Sequence, residues 1–252
     1  MSAAPSGSPY LERITPGGPE WRQEIVTHAQ RYRFAARFVR GKRVLDAGCG
    51  TGYGSRIVAE AGASQVVAVD LSEGALGIAR KQFAHPNIQF VCDDCEVLGR
   101  VEGSFEVVLS LESLEHFQHV ERFLDSVADR LAPAGTFICS TPNGDPSKPT
   151  PENPHHVHEY SSQELLELMK RYFTDVSLYG QHWTATFRAV SLLWSNPFIR
   201  VGRWLQGLRG RRLPSPYVLP PTEGDIIISD LNADTAWTLL AVCRGPLKDG
   251  AK

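Results

Sequence analysis

The chain has 252 residues, a length that reads as one α/β domain carrying an insertion rather than as two domains. Hydrophobic residues make up 42% and charged residues 21%, the balance of a globule whose core needs no covalent staples. Lys plus Arg number 26 against 28 Asp plus Glu, and the net charge of −2 argues against a dedicated nucleic-acid binder.

Residues 1–18 are rich in Ser, Pro and Gly. The start MSAAPSGSPY has no basic stretch followed by an apolar one, so no secretory signal is expected. No apolar run approaches the roughly 18 residues of a membrane-spanning helix. From Pro19 a helix is predicted, because Ile25, Ala29, Tyr32 and Ala36 recur on one helical face. Short apolar runs at Arg43–Asp46, Gln65–Asp70, Ile88–Cys92, Phe105–Ser110 and Thr136–Ser140 then alternate with helical patterns. Between the last two, Val120, Phe123, Leu124, Val127, Ala128 and Leu131 share a face that stops at Pro133 and Gly135. Strand–helix alternation predicts a parallel, doubly wound sheet. Ser161 and Glu164 have capping-box spacing before a helix with Leu165, Leu168, Met169 and Tyr172 on one side. Asp175–Gln181 and Thr238–Arg244 read as two more strands, an antiparallel pair at the sheet edge, which makes seven strands in all. Residues 182–236 form an insertion between them, with Trp194, Phe198 and Trp204 among arginines such as Arg188, Arg200 and Arg203. A lid over the acceptor is the preferred reading of it, ahead of an interfacial helix or a partner surface.

The five cysteines are an odd number without framework spacing, which fits a reduced, cytoplasmic chain. Cys92 and Cys95 form a CxxC with no second pair to complete a zinc site, so both read as packing residues.

The strongest motif is Val44-Leu-Asp-Ala-Gly-Cys-Gly-Thr-Gly-Tyr-Gly54, a strand entering a glycine turn and then a helix. Glycines let a ligand approach the backbone, and a helix N-terminus offers free N–H groups. Nicotinamide and flavin sites share such a turn. Asp46, just before the glycines, is an odd neighbour for a pyrophosphate and suits a ligand with a cationic end. Asp70 ends the next strand, placed for ribose hydroxyls.

With VVAVD, FVCDDCEVL, FEVVLSLESLEHF and LAPAGTFICSTPNG following in order, the chain resembles the class I S-adenosylmethionine-dependent methyltransferases over roughly residues 40–180. The resemblance implies a Rossmann-like sheet and S-adenosylmethionine as cofactor. It places Gly48, Gly50 and Gly52 around the methionine and ribose, and Asp70 with Leu71 at the ribose. Asp94 and Cys95 fall at the adenine edge and Leu111 on the methionine side. Asp93-Asp94 stands where relatives often have Gly-Asp, which leaves open which carboxylate faces the adenine. Residues 1–39 would form an N-terminal segment with a helix covering the cofactor, and residues 40–252 the methyltransferase domain. Arg31 or Tyr32 on that helix would reach the methionine carboxylate, with core packing as the other reading of Tyr32.

A hydroxyl acceptor has to lose its proton, and the candidate base is His116 in Ser-Leu-Glu-His-Phe117 after the fourth strand. The other reading of Glu115-His116 is a structural pair orienting the loop. Asn153-Pro-His-His-Val-His-Glu-Tyr160 resembles the NPxHxxE segment of methyltransferases found with glycan-building enzymes, which assigns His156 to acceptor binding or auxiliary acid–base work. Adjacent histidines on an extended chain seldom converge, so no metal site is expected. The leading expectation is O-methylation of a sugar in a polysaccharide, glycolipid or glycosylated natural product. The rivals are a small aromatic or quinone-like hydroxyl as acceptor, and a non-catalytic, cofactor-binding regulatory subunit. A small-molecule or glycan partner without stable membrane insertion is expected, and a homodimer is compatible with it.

Overall fold

A computed structural model of the chain describes residues 16, 21–145, 147, 151, 153–184, 222, 224, 226–230 and 233–247. Helix α1 (Trp21–Ala36) leads into β1 (Arg43–Ala47), α2 (Tyr53–Glu60), β2 (Gln65–Asp70), α3 (Glu73–Gln82) and β3 (Ile88–Cys92). Strand β4 (Phe105–Leu111), a 3₁₀ turn (Leu114–His116), α4 (Val120–Arg130), β5 (Leu131–Pro142) and α5 (Ser162–Lys170) follow. Strands β6 (Phe173–Trp183), β7 (Ile226–Ser229) and β8 (Thr238–Pro246) complete the described elements.

The sheet order is β3-β2-β1-β4-β5-β8-β6-β7. The first five strands are parallel and β8, β6 and β7 pair antiparallel. The expected antiparallel pair is β6 with β8, and β8 joins it to the parallel part of the sheet, pairing Thr136–Pro142 on one side and Phe173–Gln181 on the other. One detail departs from the sequence expectation. The described sheet has eight strands rather than seven, because Ile226–Ser229 at the end of the insertion pairs with Gly180–Trp183.

The inner parallel strands β1, β2, β4 and β5 are covered on both faces, which explains runs such as Gln65-Val-Val-Ala-Val-Asp70. Leu45, Val67, Val69, Val108 and Phe137 pack toward Phe123, Val127, Leu165 and Leu168 of α4 and α5. Val44, Val66, Ala68, Val107 and Ile138 face Phe34, Val39, Val58 and Leu76. Asp46 shares the period-two face of Val44, so its carboxylate lies beneath α1 and α2. The expected capping box at Ser161 and Glu164 opens α5.

Strands β1 and β4 are neighbours, and from β1 the chain order runs outward in both directions. This is the switch point at which open α/β sheets bind ligands beyond their strand ends. Most of the expected insertion, from residue 185 to 221, lies outside the described residues. Among the described residues, no helix is long and apolar enough to cross a membrane.

Candidate active site

The turn after β1 is tied back to β2, with the N–H groups of Gly48 and Cys49 both donating to the Val69 carbonyl at 2.9 Å. Gly48, Gly50 and Gly52 all take positive φ, at 83°, 54° and 83°. At Gly48 a Cβ would stand 2.2 Å from Ser113 Oγ, so the turn and the loop after β4 touch at a point only glycine allows. At Gly50 a Cβ would meet nothing within 4 Å. The turn is closed on its protein side and open above Gly50, as a cradle for a ligand at the N-terminus of α2 has to be.

Two carboxylates support this turn. Asp70 accepts from Gly50 N at 2.9 Å and from Ser72 N at 2.8 Å. Asp46, fully buried, accepts from Ser55 Oγ at 2.6 Å and from the Tyr32 hydroxyl at 3.2 Å. Burial pushes its carboxyl up to about 6, against the opposing pull of those hydroxyls. A cationic ligand group was the sequence reading for Asp46; in the structure both its oxygens face protein donors. The Tyr32 ring covers Gly54 so closely that a Cβ there would lie 2.0 Å from it. Tyr32 therefore seats α1 on the turn.

Leu71, beside Asp70, is half exposed, and Leu111 is buried at the end of β4. Of the paired carboxylates after β3, Asp93 accepts from Asp94 N and Arg100 N through its two oxygens, which makes it the turn-former. Asp94 is exposed, with Oδ1 accepting from Glu96 N. Cys92 and Cys95 direct their thiols at the carbonyls of Leu71 and Val69, and burial raises the Cys95 thiol far above its ordinary range. These are packing groups, and all five cysteines are free.

The loop after β4 and the segment after β5 bring His116 and His156 together, with ring centroids 5.0 Å apart at 78°. His116 Nδ1 lies 2.9 Å from the His155 carbonyl, which can only accept, so Nδ1 carries a proton there. The Asn153 amide is oriented by His155 N donating to its Oδ1, so its Nδ2 donates to His156 Nε2 at 2.9 Å. His156 Nδ1 then donates to Glu159 at 2.6 Å. Both nitrogens of His156 are engaged. His158 is half exposed near Glu164.

Sequence reasoning paired Glu115 with His116 but missed the contacts that the acids of this loop make. Glu112 takes φ 55°, accepts from Ser140 Oγ at 2.8 Å and pairs with Arg31 at 3.2 Å. Arg31 was a candidate for the methionine carboxylate; its guanidinium is directed at Glu112 and at Gln181 Oε1. Glu115 is 1% exposed, its Oε2 has no hydrogen-bond partner, and burial first, then the charge of Glu112, drives its carboxyl well above the usual range. Glu115, His116 and His156 each bring a ligand atom within 4.8 Å of the others, a convergence of two segments that spacing could not reveal. A metal bound through His156 would have to displace either the Asn153 amide from Nε2 or Glu159 from Nδ1.

The methyltransferase domain family matches residues 20–189. A relative from Mycolicibacterium smegmatis, named a probable S-adenosylmethionine-dependent methyltransferase, is 32% identical over 173 residues, 67% of this chain and 66% of that protein. A ubiquinone biosynthesis O-methyltransferase of Coxiella burnetii is 35% identical over 107 residues, 42% of this chain and 45% of that protein. The chain thus spans two thirds or less of the length of these relatives. Among solved structures, an S-adenosylmethionine-dependent methyltransferase from Mesorhizobium loti superposes with a TM-score of 0.53 at 21% identity, covering 90% of this chain and 98% of that one. The Burkholderia thailandensis 1,6-didemethyltoxoflavin-N1-methyltransferase, solved with S-adenosylhomocysteine, gives 0.54 at 19% identity, covering 90% and 81%. At these identities the two structures speak to the fold.

Proposed function

The chain belongs to the methyltransferase domain family, and from that premise we propose that it transfers the methyl group of S-adenosylmethionine to a hydroxyl of a sugar-bearing acceptor. The observation that carries this reading is the contact of His116 Nδ1 with the His155 carbonyl. With Nδ1–H held by the His155 carbonyl, Nε2 is the proton acceptor at the carboxyl edge of the sheet, in the loop that touches the glycine turn through Ser113.

In this reading Gly48, Gly50 and Gly52 hold the methionine and ribose, Asp70 accepts from the ribose hydroxyls beside Leu71, and Asp94 and Cys95 border the adenine. Leu111 lines the methionine side. Asp46 and Tyr32 act on the cofactor through the turn they fix. The chemistry that the bound cofactor supplies is an electrophilic methyl on a sulfonium with a neutral thioether as leaving group. His116 takes the hydroxyl proton on Nε2, and His156 orients its ring edge-on while bordering the acceptor. The insertion leaves β6 at Trp183, on the same edge of the sheet, which is where a lid over the acceptor would start.

Polar surroundings favour a polyhydroxylated acceptor: His156, Glu159, Asn153 and Glu115 gather beside His116. A small aromatic or quinone-like hydroxyl is the second reading, supported by the O-methyltransferase relative from Coxiella burnetii. Incubation with S-adenosylmethionine and a panel of free sugars, nucleotide sugars and phenols, read as S-adenosylhomocysteine release, decides between them. Release with sugars supports the first reading, release with phenols alone supports the second, and no release across the panel counts against both.

A further inference from the structure

We infer that Arg31 is a positioning residue for methyl transfer: through Glu112 it fixes the loop that carries His116, and so ties that histidine to the helix seated on the glycine turn. The inference deepens the proposed function and rests on its reading of His116 as the base.

Arg31 and Tyr32 are neighbours on α1 but reach different places. Tyr32 covers Gly54 and donates to Asp46, on the cofactor side. Arg31 reaches Glu112 Oε2 at 3.2 Å and Gln181 Oε1 at 3.3 Å, on the acceptor side. Gln181 in turn donates through Nε2 to the Thr27 carbonyl at 2.9 Å, one turn back on α1. The helix is thereby held to β6 by the same amide that orients the guanidinium.

Glu112 is the hinge of the loop. A side-chain-bearing residue at φ 55° is uncommon and has to be held there by its surroundings. Its N–H donates to the Ser140 carbonyl, and its two carboxylate oxygens take Ser140 Oγ and Arg31. The next residue, Ser113, lies under Gly48, and the 3₁₀ turn to His116 starts immediately after it. The direction in which the chain leaves Glu112 therefore sets where the His116 ring meets the His155 carbonyl.

Packing alone would not select this pair. The Arg31 and Glu112 side chains are 3% and 15% exposed, and buried ion pairs are often no more stable than apolar replacements of similar volume. What such a pair supplies is register, here between a helix and a loop that sequence separates by 81 positions.

The test uses S-adenosylhomocysteine and needs no acceptor. Nitrogen-15 spectra of the imidazoles report which ring nitrogen of His116 is protonated, and calorimetry gives affinity for S-adenosylhomocysteine. In the wild type His116 should show a single Nδ1–H tautomer. In Arg31→Met, and independently in Glu112→Gln should Arg31→Met fail to fold, the signal should become a mixture of tautomers. Affinity for S-adenosylhomocysteine should stay within about threefold of wild type. Arg31→Lys, which keeps the charge, should restore most of the single tautomer. An unchanged tautomer in both Arg31→Met and Glu112→Gln overturns the inference. So does a loss of affinity of about tenfold or more in Arg31→Met, which would make Arg31 a direct cofactor contact. Turnover of His116→Ala tests the base reading separately: if it stays high the base reading fails, whatever the tautomer does.

Discussion

Asp46→Asn isolates the electrostatics of the cofactor turn from its packing. Asp46 is fully buried, and burial lifts its carboxyl from the ordinary 3.8 to about 6 while Ser55 and Tyr32 pull the other way. Between those two values the folded chain holds a proton that the unfolded chain has released. Stability from this site is therefore fully present below about pH 4 and is lost as pH rises through about 6. The whole loss corresponds to roughly 3 kcal/mol. Asparagine has the same shape and no charge; its carbonyl can accept from Ser55 while its NH₂ donates to the Tyr32 oxygen. Urea unfolding at a series of pH values should show the stability of Asp46→Asn, relative to wild type, climbing by about 3 kcal/mol from below pH 4 to above pH 7. A difference that stays flat across that range would refute the assignment of a desolvated carboxylate beneath α1.

Asp70→Ala should weaken S-adenosylmethionine binding by roughly 1.5–3 kcal/mol, because a charged acceptor and the anchor of Gly50 N–H disappear together; unchanged affinity by calorimetry removes Asp70 from the site. Gly48→Ala places a Cβ 2.2 Å from Ser113 Oγ at φ 83° and should cost about 1–3 kcal/mol of stability in thermal unfolding. Adding Ser113→Ala removes the Oγ contact but leaves the Ser113 Cβ 2.9 Å away, so it should recover part of the contact loss and none of the backbone loss; no recovery would place the clash elsewhere. Turnover should survive treatment with a chelator, since both nitrogens of His156 are already engaged. Complete loss, reversed by a divalent cation, would reassign Glu115, His116 and His156 as metal ligands.

The core of the fold was legible because both faces of the inner parallel strands are covered, so that β1, β2, β4 and β5 read as apolar runs between turn signals. The glycine turn was legible for a different reason: positive φ and close approach admit little else at Gly48 and Gly52. Strand β7 was not. Four residues, Ile226-Ile-Ile-Ser229, gain strand character only from the partner Gly180–Trp183. The place of β8 between β5 and β6 was also hidden, because pairing order is a long-range property and hydrophobic pattern a local one. In the site, the singly placed residues were readable: Asp70 at a strand end and His116 after β4. The groups that orient them were not. Arg31 with Glu112, and His156 with Asn153 and Glu159, depend on where three separate segments meet. Glu112 left one weak trace, an acidic residue at the strand end next to Ser113, but its left-handed backbone has no sequence signature.

The central claim is that His116 takes the proton from the acceptor hydroxyl. Its most direct measurement is the turnover of His116→Ala on the acceptor that responds in the panel, beside its affinity for S-adenosylhomocysteine. The account predicts a loss of about 10²–10⁴ in kcat with affinity nearly unchanged. A variant that keeps most of its turnover, or one that loses cofactor affinity in proportion to its activity, would contradict it.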